Sequence, residues 1–355
     1  MTPGPTEVSS RVRNAMSLPI QNPDIDEEFF DFYHDLEEKI QKIYQTVDDV
    51  IILGGEGILG LEASVASTVE KNDKVLCLSN GIYGDGFANF VENQGGDPVL
   101  CEFSYDKILS PEKVKTFVEE DSFKAATMVH CETPTGTLNN LREILSILKD
   151  AGILTIVDAV SSLGGTRVPT EEMDICIGGS QKCFSAPPGL TTLSVSEEAW
   201  DVIMEKDQNT HYTNLALWKE MWFGEEYFPY THSVSNIYAL SEAIDIILEE
   251  GLEKVFKRHE KCAEKCREST KNLDLELYPK KESYCSPTVT ALHLGGMAKD
   301  LQKRIREMHD ILLATSLGDF ENDILRIGHM GHNATIEKVE RTMNALRDVL
   351  NNTEI

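Results

Sequence analysis

Between residues 49 and 196 the chain alternates short apolar stretches with amphipathic ones, and this alternation limits the possible folds more than any other feature of the sequence. "DVIILGG" (49–55) reads as a strand closing on glycines, and "ILGLEASVASTVE" (58–70) spaces its apolar residues as a helix does. The pattern recurs as strand then turn over 74–84, helix 86–96, strand 97–103, helix 111–120 and strand 125–136. Helix 141–152 and strand 153–165 follow, with two further strands at 174–182 and 190–196. Strands and helices alternating at this spacing predict an α/β domain built on a mainly parallel, seven-stranded sheet. Ligands of such sheets sit beyond the carboxyl ends of the strands, where the loops gather.

After about residue 235 the texture changes. Residues 235–270 read as one long helix, charged along one side. Strand 288–294, helix 297–309, strand 323–331 and helix 335–350 predict a smaller C-terminal α+β domain. The expected division is an N-terminal segment 1–17, a large domain 18–245 and a small domain 246–355. Lys and Arg total 33 against 60 Asp and Glu, a net charge of −27, which argues against nucleic acid and anionic membrane as partners. No apolar run approaches the roughly 18 residues of a membrane-spanning helix. The opening "MTPGPTEVSSRV" lacks the apolar centre of a signal peptide. The eight cysteines are scattered, with no Cys-x-x-Cys, and read as reduced thiols of a cytoplasmic protein.

The informative polar residues fall in the loops after the strands. "LGGEGILGLEA" is a glycine-rich turn entering a helix, whose free N–H groups suit an anion. It is not a P-loop, and no acidic residue follows the next strand as ribose recognition would need. Glu56 within it would repel a phosphate unless it points outward. "SNGIYGDG" places Tyr83 where an aromatic ring can stack on a flat ligand. "HCETPTG" offers His130, Glu132, Thr133, Thr135 and Gly136, with too few imidazoles for a metal site. "TIVDAVSS" ends an apolar strand in Asp158. A buried carboxylate is costly unless paired, and a protonated heterocyclic nitrogen would pair with it; a helix N-cap is the other reading. In "GGSQKCFSAPPG", Lys182 stands among small and polar residues, and Pro187, Pro188 and Gly189 stiffen the exit. A lysine becomes a nucleophile when desolvation lowers its pKa. Thr231 precedes the long helix in "FPYTHS", and Arg326 in "LRIGHMG" carries the planar fork that grips a carboxylate. His329 and His332 lack a third ligand, so no metal is expected.

An aspartate on one strand and a lysine about two dozen residues later is the layout of pyridoxal-phosphate enzymes. With "TPGPTEV", "NGIYGD", "HCETPTG", "VDAVSSLGG", "GGSQKCFSAPPG", "YALSEAI" and "LRIGHMG" in this order, the chain resembles class V aminotransferases of the alanine–glyoxylate / serine–pyruvate branch over nearly its whole length. The resemblance implies a fold-type I transferase with pyridoxal 5′-phosphate as cofactor. By position it makes Lys182 the Schiff-base lysine and proton carrier, and Asp158 the partner of the pyridine nitrogen. Val160 and Tyr83 would sandwich the ring, and Thr133 would bond its hydroxyl. Gln181 and the N–H groups of Gly57 and Ile58 would bind phosphate. Thr231 would reach the phosphate of a partner subunit, implying a homodimer with active sites at the interface. Arg326, Ser162 and the backbone at Gly4 would hold the substrate carboxylate. The expected reaction passes the amino group of alanine or serine to glyoxylate or pyruvate. Two departures stand out: Glu56 stands where the family commonly has Ser or Thr, and "PIQNPD" puts Gln21 or Asn22 at the position of its Gly-His. The second keeps an (S)-ureidoglycine–glyoxylate activity open, and 2-aminoethylphosphonate is a further candidate donor. A cysteine desulfurase would need Cys285 as its mobile thiol, and a scaffolding protein would have no use for the lysine, aspartate and arginine together.

Overall fold

The structure, a computed structural model, describes residues 1–352. Helix α1 (Ser10–Ala15) starts at a Ser9 cap. Helix α2 (Glu27–Tyr44) starts at Asp26, whose carboxylate accepts the Glu28 N–H, and buries Phe29, Tyr33, Leu36, Ile40 and Ile43 along one face. Then come β1 (Asp49–Leu53), α3 (Gly57–Thr68), β2 (Lys74–Ser79), α4 (Ile82–Asn93), β3 (Asp97–Glu102) and α5 (Pro111–Glu120). β4 (Ala125–Val129) leads through the small hairpin β5 (Cys131–Glu132) and β6 (Thr137–Leu138) to α6 (Arg142–Asp150). β7 (Leu154–Asp158), β8 (Ile175–Gly179), β9 (Thr191–Val195) and α7 (Glu197–Glu205) complete the alternation.

The large sheet has seven strands in the order β1-β9-β8-β7-β4-β2-β3. From β3 to β8 every pairing is parallel. β9 is antiparallel to both β8 and β1, so it alone runs against the rest. The central strands β4, β7 and β8 are buried at every residue. Their apolar runs are continuous rather than alternating because both sheet faces are covered.

The elements depart from the sequence reading mainly at strand ends. The strand expected over 153–165 stops at Asp158, where hydrogen bonds from Ser162 N–H and Leu163 N–H to the Ala159 carbonyl turn the chain. The strand expected over 174–182 stops at Gly179, three residues before Lys182. Helix α4 begins at Ile82 rather than 86. The long helix expected over 235–270 is two helices, α9 (Val234–Glu250) and α10 (Leu252–Lys271), parted at Gly251. Gly251 has φ +87, a conformation that side chains rarely adopt. Between α7 and α9 the chain holds a π-helical turn (Trp218–Trp222) and the short α8 (Phe223–Glu225).

The C-terminal part folds around a four-stranded antiparallel sheet, β10 (Glu276–Leu277), β11 (Val289–His293), β12 (Ala314–Thr315) and β13 (Ile324–Gly328), ordered β10-β11-β13-β12. Helices α10, α11 (Ala298–His309) and α12 (Ile336–Asn351) pack with it. One core cluster runs from Val12 to Val255, and a second joins Cys262 and Cys266 to α11, α12 and the small sheet. The first residues cross between them. Gly328 N–H donates to the Met1 carbonyl at 2.9 Å, and Thr6 N–H to the Gln181 carbonyl at 3.0 Å. Among the described residues no helix is long and apolar enough to cross a membrane.

Candidate active site

At the carboxyl ends of β7 and β8 a cavity of about 270 Å³ is lined by Asp158, Lys182, Tyr83, Val160, Glu56 and Gly4, among others. Asp158 is the last residue of β7 and is 6% exposed. Its Oδ1 accepts the Val160 N–H at 2.8 Å. Burial pushes its pKa up to about 6, against the pull of that N–H and of Lys182, while Glu56 pushes it further up.

Lys182 lies in a tight turn after β8. Ser180 fastens this turn, donating from Oγ to the Pro187 carbonyl at 2.7 Å and accepting the Ala186 N–H at its own carbonyl at 3.0 Å. The lysine amine donates to the Pro3 carbonyl at 2.9 Å. Burial holds its pKa below the usual lysine value, Arg326 adds to the effect, and Asp158 opposes it. Gly4 has φ +108, and a Cβ there would lie 2.4 Å from Lys182 Cδ. The N-terminal segment can therefore close over the lysine only with glycine at this place. Across the cavity a Cβ on Gly57 would lie 2.8 Å from Val160 Cγ2, so the first turn of α3 packs directly on Val160.

Tyr83 is held by a device that the sequence did not reveal. Glu132, with no exposed surface, accepts the N–H of Gly84 at 2.7 Å and of Tyr83 at 3.4 Å. A carboxyl group thus caps α4 from β5, its oxygens accepting the first N–H groups of the helix. Burial raises the Glu132 pKa to about 8, with the Gly84 N–H opposing. The Tyr83 phenol is pushed up chiefly by burial and further by Asp158.

Gln181 and Ile58 meet at Glu56. Its Oε1 accepts the Ile58 N–H at 3.2 Å, and its Oε2 accepts from Gln181 Nε2 at 3.3 Å. Glu56 is itself the N-cap of α3. Gln181 Oε1 is buried without a hydrogen-bond partner.

Arg326 sits in the middle of β13, not at its end, paired in register with Ala291 of β11 and Ala314 of β12. Its Nε and Nη2 both donate to the Thr315 carbonyl, at 2.8 and 2.6 Å, which fixes the guanidinium plane. It is 8% exposed, and burial lowers its pKa to about 10.

Two expected site residues, Thr133 and Ser162, lie off the cavity lining. Thr133 is buried and its hydroxyl contacts that of Ser161; Ser161, not Thr133, lines the cavity. Ser162 is fully buried and turned inward, its Oγ at 2.8 Å from His130 Nδ1 and 3.2 Å from the Ala159 carbonyl. Burial lowers the His130 pKa to about 4, so this imidazole is neutral at pH 7. Thr231 is exposed and donates to Asp24 Oδ2 at 3.0 Å, outside the cavity of its own chain. Gln21 and Asn22 also lie outside the lining: Gln21 Oε1 accepts from Tyr238 at 2.9 Å, and Asn22 Oδ1 accepts the Asp24 N–H at 3.0 Å. Cys285 is likewise absent from the lining, with its Sγ directed at the Lys281 carbonyl. His329 is buried between Thr290 Oγ1 and the Pro287 carbonyl. Among the described residues no cluster of His, Cys, Asp or Glu is arranged to hold a metal ion.

The family model for class V aminotransferases matches residues 10–341. An uncharacterized aminotransferase of Methanocaldococcus jannaschii is 37% identical over 337 residues, covering 93% of this chain and 87% of that protein. The pyridoxamine–pyruvate transaminase of Mesorhizobium japonicum is 32% identical over 358 residues, covering 99% of this chain and 91% of its own. The crystal structure of ureidoglycine–glyoxylate aminotransferase from Bacillus subtilis superimposes with a TM-score of 0.95 at 30% identity, covering 100% of this chain and 94% of that one. With its lysine, aspartate and parallel sheet in this arrangement, the chain belongs to the class V aminotransferase family, whose members use pyridoxal 5′-phosphate, and it is an aminotransferase of fold type I.

Proposed function

We propose that the chain transfers the amino group of a small amino acid, alanine or serine, to glyoxylate or pyruvate, working as a homodimer in the cytoplasm. The observation that carries this reading is the enclosed Lys182 amine and the buried Asp158 carboxylate opening into one cavity beneath Tyr83. The ring end of the cavity fits a pyridine aldehyde. Asp158 offers a carboxylate whose charge burial disfavours until a cation pairs with it. Val160 and Tyr83 supply the two faces between which a flat ring fits. Lys182 supplies an amine whose lowered pKa increases its neutral, reactive fraction.

When bound, the cofactor contributes an aldehyde that captures the substrate amine and a ring that accepts electrons from Cα. The chain does the rest. Arg326 would grip the substrate carboxylate, its plane already set by the Thr315 carbonyl. Lys182 Nζ would take the proton from Cα and return it on the cofactor side. Asp158 would hold a proton on the ring nitrogen. The Pro3–Gly4 backbone, packed against Lys182, would exclude water from the amine. Ser161, which lines the cavity where Thr133 and Ser162 do not, would take the hydroxyl contact, with Thr133 supporting it.

Thr231 would complete a partner's site: it is exposed and is absent from the lining of its own cavity. The eight unpaired cysteines, seven of them buried, suit a reducing compartment. The test is a visible spectrum of the cofactor-loaded protein before and after L-alanine without any oxo acid. The expected outcome is loss of the yellow band with release of pyruvate. A band unchanged by both alanine and serine would remove these donors, and no band at all would remove the Lys182 assignment.

A further inference from the structure

We infer that Glu56 makes this pocket select the unphosphorylated pyridine aldehyde and its amine, pyridoxal and pyridoxamine, over their 5′-phosphates. The inference rests on the reading that Lys182 and Asp158 hold such a ring. With the ring nitrogen on Asp158 and the aldehyde at Lys182, the 5′ substituent, on the ring carbon next to the aldehyde, would be received by the first turn of α3, which lines the same cavity. The donors there are the N–H groups of Gly57 and Ile58 and the Gln181 amide. Two of these three are taken by one side chain of this chain: Glu56 Oε1 accepts from Ile58 at 3.2 Å and Oε2 from Gln181 Nε2 at 3.3 Å. The carboxylate thus stands where an anion would be received.

Charge and hydrogen-bond chemistry point the same way. A phosphate brings up to two negative charges and only acceptors, and would meet the carboxylate of Glu56 and the unpartnered acceptor Gln181 Oε1. Among the described residues Lys182 is the one cationic side chain in the cavity lining, and it stands at the aldehyde end, on the Pro3 carbonyl. A hydroxymethyl group in place of the phosphate carries an O–H donor. It can give that hydrogen to Glu56 or to Gln181 Oε1, which otherwise stays buried and unpaired. The self-pairing of Glu56 with α3 therefore costs nothing when the ligand is neutral at this end, and must be broken when it is an anion.

The test is equilibrium binding of pyridoxal and of pyridoxal 5′-phosphate to the ligand-free full chain. It is read from the visible band on Lys182 and, independently, from the thermal shift each produces. The wild type is expected to bind pyridoxal at least about tenfold more tightly than the phosphate ester. Glu56→Ser is expected to tighten binding of the ester by about 100-fold while changing that of pyridoxal by less than about threefold. A wild type that holds the ester more tightly than pyridoxal overturns the inference even if the variant fails to fold, because the carboxylate has then rotated aside. A variant with an unchanged ratio overturns it as well. Binding of neither compound would instead remove the Lys182 reading on which it rests.

Discussion

At the ring end of the pocket, Asp158 and Lys182 are buried and each is pushed towards its neutral form, the acid upwards to about 6 and the amine downwards. At the α3 end, Glu56 accepts from Gln181 and from the first turn of the helix before any ligand arrives. The two ends differ in how they meet the cost of polar groups in a cavity. The first leaves charges that only a charged heterocycle and an aldehyde relieve, so binding there releases an existing penalty. At the second, two of the donors are already paired with Glu56, so an anion must first displace that carboxylate, while the acceptor Gln181 Oε1 is left without a partner. A pocket built in this way holds a ring firmly and judges its substituent separately.

The largest expected effect comes from removing the lysine at the strained end. Lys182→Ala should lower turnover by at least about 10⁴-fold, checked by single-turnover kinetics, and should remove the visible band. Retention of wild-type turnover would break the comparison outright. Asp158→Asn should lower kcat by about 10²–10³-fold with ligand bound, yet stabilise the ligand-free protein. The sign follows from the raised pKa. The folded state binds the Asp158 proton more tightly than the unfolded chain, so this group lowers stability as pH rises from about 3.8 to about 6 and costs the full amount above that. The variant should therefore unfold later than wild type at pH 8, by at most about 3 kcal/mol, and the gap should close towards pH 4. Urea titrations at the two pH values check it, and an equal gap at both would show that burial is not the cause. Arg326→Ala should raise KM for the amino acid by about 30–100-fold with a smaller change in kcat, because the lost contact is made in ground and transition states alike. An unchanged KM would assign the carboxylate to another residue.

The alternation of strands and helices was legible because the central strands are buried on both faces and so read as apolar runs. Asp158, Lys182 and Tyr83 were legible for the same reason, since each closes or follows such a run. The ends of elements were not. Gly251 divides a segment whose apolar periodicity continues on both sides, and only the backbone angle marks the break. Successive side chains in the turn after β7 point apart, so Ser161 enters the cavity while Ser162 bonds His130, and a one-residue choice could not be made from the letters. Glu132 caps a helix 48 residues earlier in the chain, a relation that no local pattern carries. Glu56 was visible as an oddity in a glycine-rich loop, but its partners Ile58 and Gln181 had to be seen together to show what it does.

The segment that covers Lys182 ties the first residues of the chain to some of its last. Pro3 receives the lysine amine, while Met1 receives the N–H of Gly328 at the end of β13. On a ribosome, residues 1–6 emerge more than three hundred residues before the strand they must join. Within that interval Pro3 and Thr6 can already bond the Gln181–Lys182 turn, while Met1 lacks its partner in β13. The cover over the reactive amine is thus fastened in two stages, its inner anchor by the large domain and its outer anchor by a strand made much later.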